Sequence, residues 1–276
     1  MRPYNRAMAR QEATVPVVLV FSGLDPTGGA GLAADLEAIA SQGCHPAPVA
    51  TALTVQDTRD ALRFEPVAPG LLVEQARAVL EDMPVAAVKI GMVGTATVAE
   101  CIHTLLAERP ELPVVLDPVL GSGAGTPLAE PGLEQALMSL LVPLATVATP
   151  NGPEALRLVP EADTPEAAAL ALLEAGCEHV LLTGGHAAGD AVVNRLYGGR
   201  RLLETFRWER LPGAFHGSGC TLAGALAGLL AQGREIFGAV HQAQQYTHEA
   251  LRAAYRAGRG QRLPNRLFWA RDEARA

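Results

Sequence analysis

Three segments of the chain carry residue types and spacings that could do chemistry, and each follows a short apolar run. The first is Ser22-Gly23-Leu24-Asp25-Pro26-Thr27-Gly28-Gly29-Ala30-Gly31. Its glycines permit close backbone approach, and it feeds a helix start whose N–H groups are free. It lacks the lysine and hydroxyl of a P-loop and fails the G-x-G-x-x-G spacing. A tight strand-to-helix turn explains some of the glycines, but not so many beside Asp25. Asp35, about one turn into the helix, either points back at the same pocket or stands as a solvated helix aspartate.

The second segment is His216-Gly217-Ser218-Gly219-Cys220-Thr221, ahead of an apolar small-residue helix. A Gly-x-Gly turn entering a helix converges N–H groups at the positive end of the dipole, an anion hole suited to a transferring phosphoryl group. Cys220 shares that helix start, where a thiol's pKa is lowered and a thiolate could act as a base. Its other reading is a small buried hydrophobe. The third segment is Thr149-Pro150-Asn151-Gly152-Pro153-Glu154. Asn151 and Glu154 could hold water around Mg²⁺, or could simply be an N-cap and a first-turn acid. Asp117 is a further oxygen ligand near the same edge. Lys89-Ile90-Gly91-Met92 and Thr183-Gly184-Gly185-His186 end two other strands.

These segments need a scaffold that brings strand ends together. Apolar runs at residues 16–22, 48–53, 86–90, 114–117, 145–149 and 179–183 read as strands. They alternate with helical periodicity at 31–42, 71–82, 95–108, 133–141, 164–175, 220–231 and 236–257. Thr164-Pro165 is a helix start, with a capping hydroxyl and proline at the first position. Residues 191–196 and 201–208, around Gly198-Gly199, read as a β-hairpin near the C-terminal third, adding antiparallel strands at one edge. The pattern predicts a three-layer α/β/α sandwich around a mostly parallel sheet, with ligands at the strands' C-terminal ends. One domain is expected over 15–258, with a loose tail at 1–14 and another at 259–276.

Composition narrows the partners. The 276 residues are 49% apolar, enough for a substantial core, and carry a net charge of −7. That balance argues against a protein that tracks nucleic-acid phosphates. Of the 22 basic residues one is a lysine, Lys89, and the other 21 are arginines. The four cysteines form no C-x-x-C pair, and no apolar run reaches the length of a membrane span. A soluble protein of a reducing compartment is expected, hence a cytoplasmic one.

Together, SGLDPTGGAG (22–31) with Asp35, TALTVQDT (51–58), KIGM (89–92), VLDPV (115–119), TPNGPEA (149–155), GGH (184–186) and HGSGCT (216–221) resemble the hydroxymethylpyrimidine/phosphomethylpyrimidine kinase family of thiamine biosynthesis, within the ribokinase-like group. The resemblance runs from about residue 17 to about 257. It implies ATP-dependent phosphorylation of the pyrimidine's hydroxymethyl group, of the resulting monophosphate, or of both, with Mg²⁺. By matching position, Gln56 and Gly23 would contact the aminopyrimidine, with Asp35 on the substrate side and Met92 as an apolar wall. Asn151 and Glu154 would match the magnesium and phosphate motif, with Thr183 and Gly184 beside the nucleotide. Asp117 would assist through the metal. Gly217, Ser218 and Gly219 would form the anion hole, and Cys220 would take the hydroxyl proton. Relatives of this kind often form homodimers.

The chain departs from the family pattern at Thr183, where many members have lysine, and at 120–125, where a further lysine is common. Ser218 stands where threonine is usual. Charge neutralisation for ATP would then fall on Mg²⁺, helix N-termini and arginine. Two other readings stand beside this one: a pyridoxal kinase, and a non-catalytic pyrimidine or nucleotide sensor.

Overall fold

Strand β1 (Val17–Leu24) is buried on both faces for seven of its eight residues, as a parallel strand must be when helices cover each side. In the computed structural model, which describes residues 15–123, 125–187 and 189–270, it lies third from one edge of a nine-stranded sheet. The others are β2 (His45–Gln56), β3 (Ala61–Pro66), β4 (Val85–Ile90), β5 (Val114–Leu116), β6 (Val147–Ala148), β7 (His179–Leu182), β8 (Ala191–Gly198) and β9 (Arg201–Glu209). Their order is β3-β2-β1-β4-β5-β6-β7-β8-β9. The six strands from β2 to β7 in that order run parallel; β3 at one edge and the β8–β9 hairpin at the other are antiparallel.

Side-chain alternation on these strands divides the interior into two cores. Leu19, Phe21, Val88, Ile90 and Leu116 face one, which is covered by α2 (Pro69–Asp82), α3 (Ala96–Ala107), α4 (Leu133–Ala136), α5 (Gly152–Leu158) and α6 (Pro165–Glu174). Val18, Val20, Ala87 and Val115 face the other, under α1 (Gly31–Ser41), α7 (Ser218–Ala231) and α8 (Ile236–Arg252). Period two therefore turns Lys89, next to Val88 and Ile90, toward α1 and α7. Those two helices lie close because α7 offers glycines. A Cβ at Gly224 would stand 3.1 Å from that of Ala38, and one at Gly228 3.0 Å from that of Gln42. Thr95 and Thr164 cap α3 and α6 through their hydroxyls, as the sequence predicts for Thr164.

The three-layer sandwich and the edge hairpin match expectation; several details do not. β3 escapes sequence reading because its apolar residues alternate with Arg63 and Glu65 on an exposed edge. The helix expected over 133–141 is one α turn followed by a π turn at Leu137–Leu141. α8 stops at Arg252, five residues short of its predicted end, and Tyr255 then bridges to Leu263. Within 259–270, read as the start of a tail, residues 263–266 are packed into the molecule. Arg262 pairs with Phe215 as an isolated bridge, and Leu263, Asn265 and Arg266 are buried. One anchoring leucine and one arginine leave no periodic pattern to read. The tail expected at 1–14, and the last part of the other at 271–276, lie outside the described residues.

Candidate active site

The parallel strands end on one side of the sheet, where a cavity of about 520 Å³ opens, a size suited to small-molecule substrates. It crosses from Gln56 on β2, past Gly23 on β1, Met92 after β4 and Asp117 after β5, to Thr183 after β7 and Trp208 on β9.

At the β2–β1–β4 end the wall is set by close packing and one carboxylate. A Cβ at Gly23 would come within 2.8 Å of the Met92 sulfur, so glycine leaves the room for this wall. The Thr51 hydroxyl donates to the Met92 carbonyl and fixes it. Asp25 is a buried hub. It accepts from the Thr27 and Ala30 N–H groups at 2.8 Å each and from the Thr27 hydroxyl at 2.9 Å, with His216 Nε2 at 2.8 Å. Burial alone would raise its pKa, yet His216, Gln56 and Thr27 hold the carboxyl far below the usual carboxylate range. Asp25 thus joins the first glycine loop, Gln56 at the end of β2 and the turn before α7.

A second wall is the start of α7. Gly217 adopts φ +85°, and its Cα faces the Gly29 carbonyl too closely for any side chain. The first N–H groups of α7 lack helical acceptors, and Gly217, Ser218, Gly219 and Cys220 line the cavity there. A Cβ at Gly219 would stand 3.9 Å from Asp117 Oδ1, so the start of α7 lies over that carboxylate.

Beneath it lies a buried charge cluster. Lys89 Nζ is 2.9 and 3.0 Å from the two Asp35 oxygens and 3.8 Å from Asp117 Oδ2, with both Lys89 and Asp35 fully enclosed. Burial pushes the Asp35 carboxyl up to about 6, with Lys89 opposing. Burial would lower the Lys89 pKa, but Asp35, Cys220 and Asp117 outweigh it and keep the ammonium charged. Asp35 therefore does not reach the cavity, contrary to the expected substrate-side role; it neutralises the lone lysine. Cys220 also departs from expectation. Burial pushes its thiol up to about 12, against the pull of Lys89 and with Asp117 and Asp35 adding to the rise. Cys220 is half-buried and lines the cavity, and the neighbouring carboxylates work against the thiolate that a helix start would favour.

Asn151 and Glu154 form a reciprocal capping box: each backbone N–H donates to the other's side chain at 2.9 Å. The capping reading is thus realised. Glu154 nevertheless lines the cavity, and burial together with Asp117 pushes its carboxyl up to about 8. Asp117 is raised in the same way, chiefly by burial, and its Oδ2 is buried with no hydrogen-bond donor among the described residues. Two crowded carboxylates, one with an oxygen that meets Lys89 only at 3.8 Å and accepts no hydrogen bond among the described residues, offer oxygens of the kind Mg²⁺ prefers.

At the β7–β9 end Thr183 lines the cavity, but Gly184 does not. The Gly184 N–H donates to Asn194 Oδ1 at 2.9 Å and its Cα packs on the Val193 carbonyl, so Gly185 and His186 face the cavity in its place. Sequence reading named Thr183 and the GGH turn at this end but missed the side chains around them. Asn194 Nδ2 and Trp208 Nε1 both donate to Gln244 Oε1, at 2.8 and 3.0 Å, and His248 stacks near Trp208. The available signal was a buried Asn and a buried Gln within apolar periods. Arg210 donates to the carbonyls of Gly185, Ala187, Gly189 and Ala191 and so holds the loop there.

A cavity across the C-terminal ends of a mostly parallel sheet, between two helical layers, is the architecture of a ribokinase-like small-molecule kinase. The chain belongs to the phosphomethylpyrimidine kinase family, whose pattern matches residues 25–265. It is 39% identical over 92% of its length to the hydroxymethylpyrimidine/phosphomethylpyrimidine kinase of Mycobacterium tuberculosis, covering 95% of that protein. It is 37% identical over 92% of its length to the thiamine biosynthesis bifunctional protein ThiED of Geobacter sulfurreducens, and spans about half (53%) of that longer chain. Its structure is similar to an ADP complex of Bacillus subtilis pyridoxal kinase, with a TM-score of 0.85 and 26% identity over 94% of this chain and all of the other. No described helix is long and apolar enough to cross a membrane.

Proposed function

We propose that the protein transfers the γ-phosphoryl group of ATP to 4-amino-5-hydroxymethyl-2-methylpyrimidine, to its monophosphate, or to both. The observation that carries this reading is that Gly217–Gly219, at the start of α7, line the cavity beside Asp117, between the Gln56–Met92 wall and the Trp208–Gln244 wall, where their N–H groups can serve as an anion hole. Gln56 offers a donor and an acceptor to the ring's amino and aza edge, and Met92 packs against the ring. The substrate oxygen bonds to the γ-phosphorus as the bond to ADP breaks, and the hydroxyl proton leaves. In a loose transition state that proton leaves late; the Cys220 thiolate, the minor form that the Lys89 ammonium favours, takes it at Sγ and becomes the thiol. Ser218 and Gly219 N–H groups meet the charge on the phosphoryl oxygens. Asp117 and Glu154 would hold Mg²⁺, which supplies charge neutralisation for the phosphates. A small-molecule kinase that acts as a homodimer in the cytoplasm completes the reading.

Steady-state kinetics with ATP and Mg²⁺ test it, comparing the pyrimidine, its monophosphate and pyridoxal. Pyrimidine turnover is expected. The likeness to pyridoxal kinase supports the second reading, and robust pyridoxal turnover without pyrimidine turnover would establish it instead. Pyrimidine or nucleotide binding without ATP-dependent product would point to a sensor.

A further inference from the structure

The cavity holds the carboxylates of Asp25, Asp117, Glu154 and Glu209, yet among its described lining residues the one guanidinium is that of Arg210. Arg210 is occupied by loop carbonyls, and the Lys89 charge is matched by Asp35. A site that gathers phosphates needs positive charge from elsewhere.

Arg266 stands where it is needed. It is 2% exposed and heads the largest fully buried side chains in the protein. Nη1 donates to the Gly28 carbonyl at 3.3 Å and Nη2 to the Gly29 carbonyl, both in the first glycine loop. Nε donates to Thr221 Oγ1 at 2.9 Å, and that hydroxyl donates on to the Gly217 carbonyl at 2.7 Å. A trans peptide sets the Ser218 N–H opposite the Gly217 carbonyl. Holding that carbonyl from behind therefore aims the Ser218 N–H into the anion hole. Nη2 lies 2.9 Å from where a Gly217 Cβ would stand. Its carboxylate partner, Glu37 at 3.1 Å, is 44% exposed, so water screens that partner more than the buried guanidinium.

We propose that Arg266 is a positioning residue for phosphoryl transfer: it locks the 28–29 turn to the start of α7, aims the Ser218 N–H, and places a fixed positive charge behind the anion hole. The proposal rests on the reading of Gly217–Gly219 as that hole. Arginine suits the task because its planar fork serves three carbonyl or hydroxyl acceptors at once and keeps its charge.

The test uses Arg266→Ala and Arg266→Lys in the full chain. Readouts are kcat and KM, melting temperature, and affinity for ADP alone and for ADP with aluminium fluoride, a planar mimic of the transferring group. Arg266→Ala is expected to lower kcat about 10- to 100-fold, the scale of a small misplacement at a reacting centre, and to weaken ADP–aluminium fluoride similarly. Affinity for ADP alone and both KM values should stay within a factor of about three, well under the tenfold that one 1.4 kcal/mol interaction represents. Guanidinium ion added to Arg266→Ala should restore part of kcat, and neutral urea, its isostere, should not. Arg266→Lys should fall between the two proteins, and it carries the test alone if Arg266→Ala does not fold. A lower melting temperature with unchanged kcat overturns the proposal, as does equal loss of ADP and ADP–aluminium fluoride affinity. Gly219→Ala separates the two levels. If it weakens ADP–aluminium fluoride while the Arg266 variants do not, the Arg266 proposal fails; if it too has no effect, the anion-hole reading fails.

Discussion

Replacing Lys89 by Met removes the one cation that faces Asp35 and Asp117 among the described residues, leaving its side-chain volume nearly unchanged. Breaking a buried pair by deleting one partner costs about 3–5 kcal/mol, because the remaining charge has neither water nor counter-ion. For a chain of this size that loss corresponds to roughly 6–20 °C in melting temperature, taking about 2–4 °C per kcal/mol. The carboxylates can escape by taking up protons, since Asp35 is already pushed up to about 6 with Lys89 present. The folded variant then binds more protons than the unfolded chain, whose aspartates titrate near 3.9, so its stability falls as pH rises. The slope is about 1.4 kcal/mol per pH unit for each proton retained. Chemical denaturation of wild type and Lys89→Met between pH 5 and 8.5 should show the gap widening toward the alkaline end. Asp35→Leu combined with Lys89→Met should recover most of the loss, because an apolar pair of similar volume replaces a buried ion pair at little or no cost. A single variant that loses under about 1 kcal/mol with no added pH slope would refute the cluster as drawn, since that is the range of exposed pairs.

Cys220→Ala should keep both substrates bound but lower kcat by about 10²–10⁴, the range for a lost proton-transfer group; unchanged turnover would return Cys220 to a packing role. Gln56→Leu should raise the pyrimidine KM, with about 1–3 kcal/mol lost from an unpaired ring edge, and leave that for ATP alone. An unaltered pyrimidine KM would misplace the ring. Asp25→Asn should destabilise the protein by about 1.5–3 kcal/mol near neutral pH, the worth of hydrogen bonds to a charged group. Because the Asp25 pKa is lowered on folding, that advantage is complete above the unfolded value near 3.9 and is lost as pH falls below it. Melting curves from pH 7 to pH 2.5 should therefore converge, and a gap independent of pH would count against the hub.

The glycine loops, the strand-end placement of Asp117 and Glu154, the Thr164 cap and the edge hairpin were legible from sequence. Each rests on contacts between near neighbours: a φ above zero at Gly217, a hydroxyl reaching an N–H three residues on at Thr164, alternation along β8. The charge state of Cys220 was not, because a helix start is a local feature while burial beside Asp117 and Asp35 is not. Asp35 had two readings one turn into its helix, and only the approach of α1 to β4 joins it to Lys89, 54 residues away. Gly184 looked like a nucleotide contact until Asn194, ten residues on, took its N–H. Arg266 meets Gly29 across 237 residues. What the chain determines through its own neighbours, its sequence states; which charges meet in the dark of the core depends on how helices and sheet stack, and that is decided only when the tertiary structure forms.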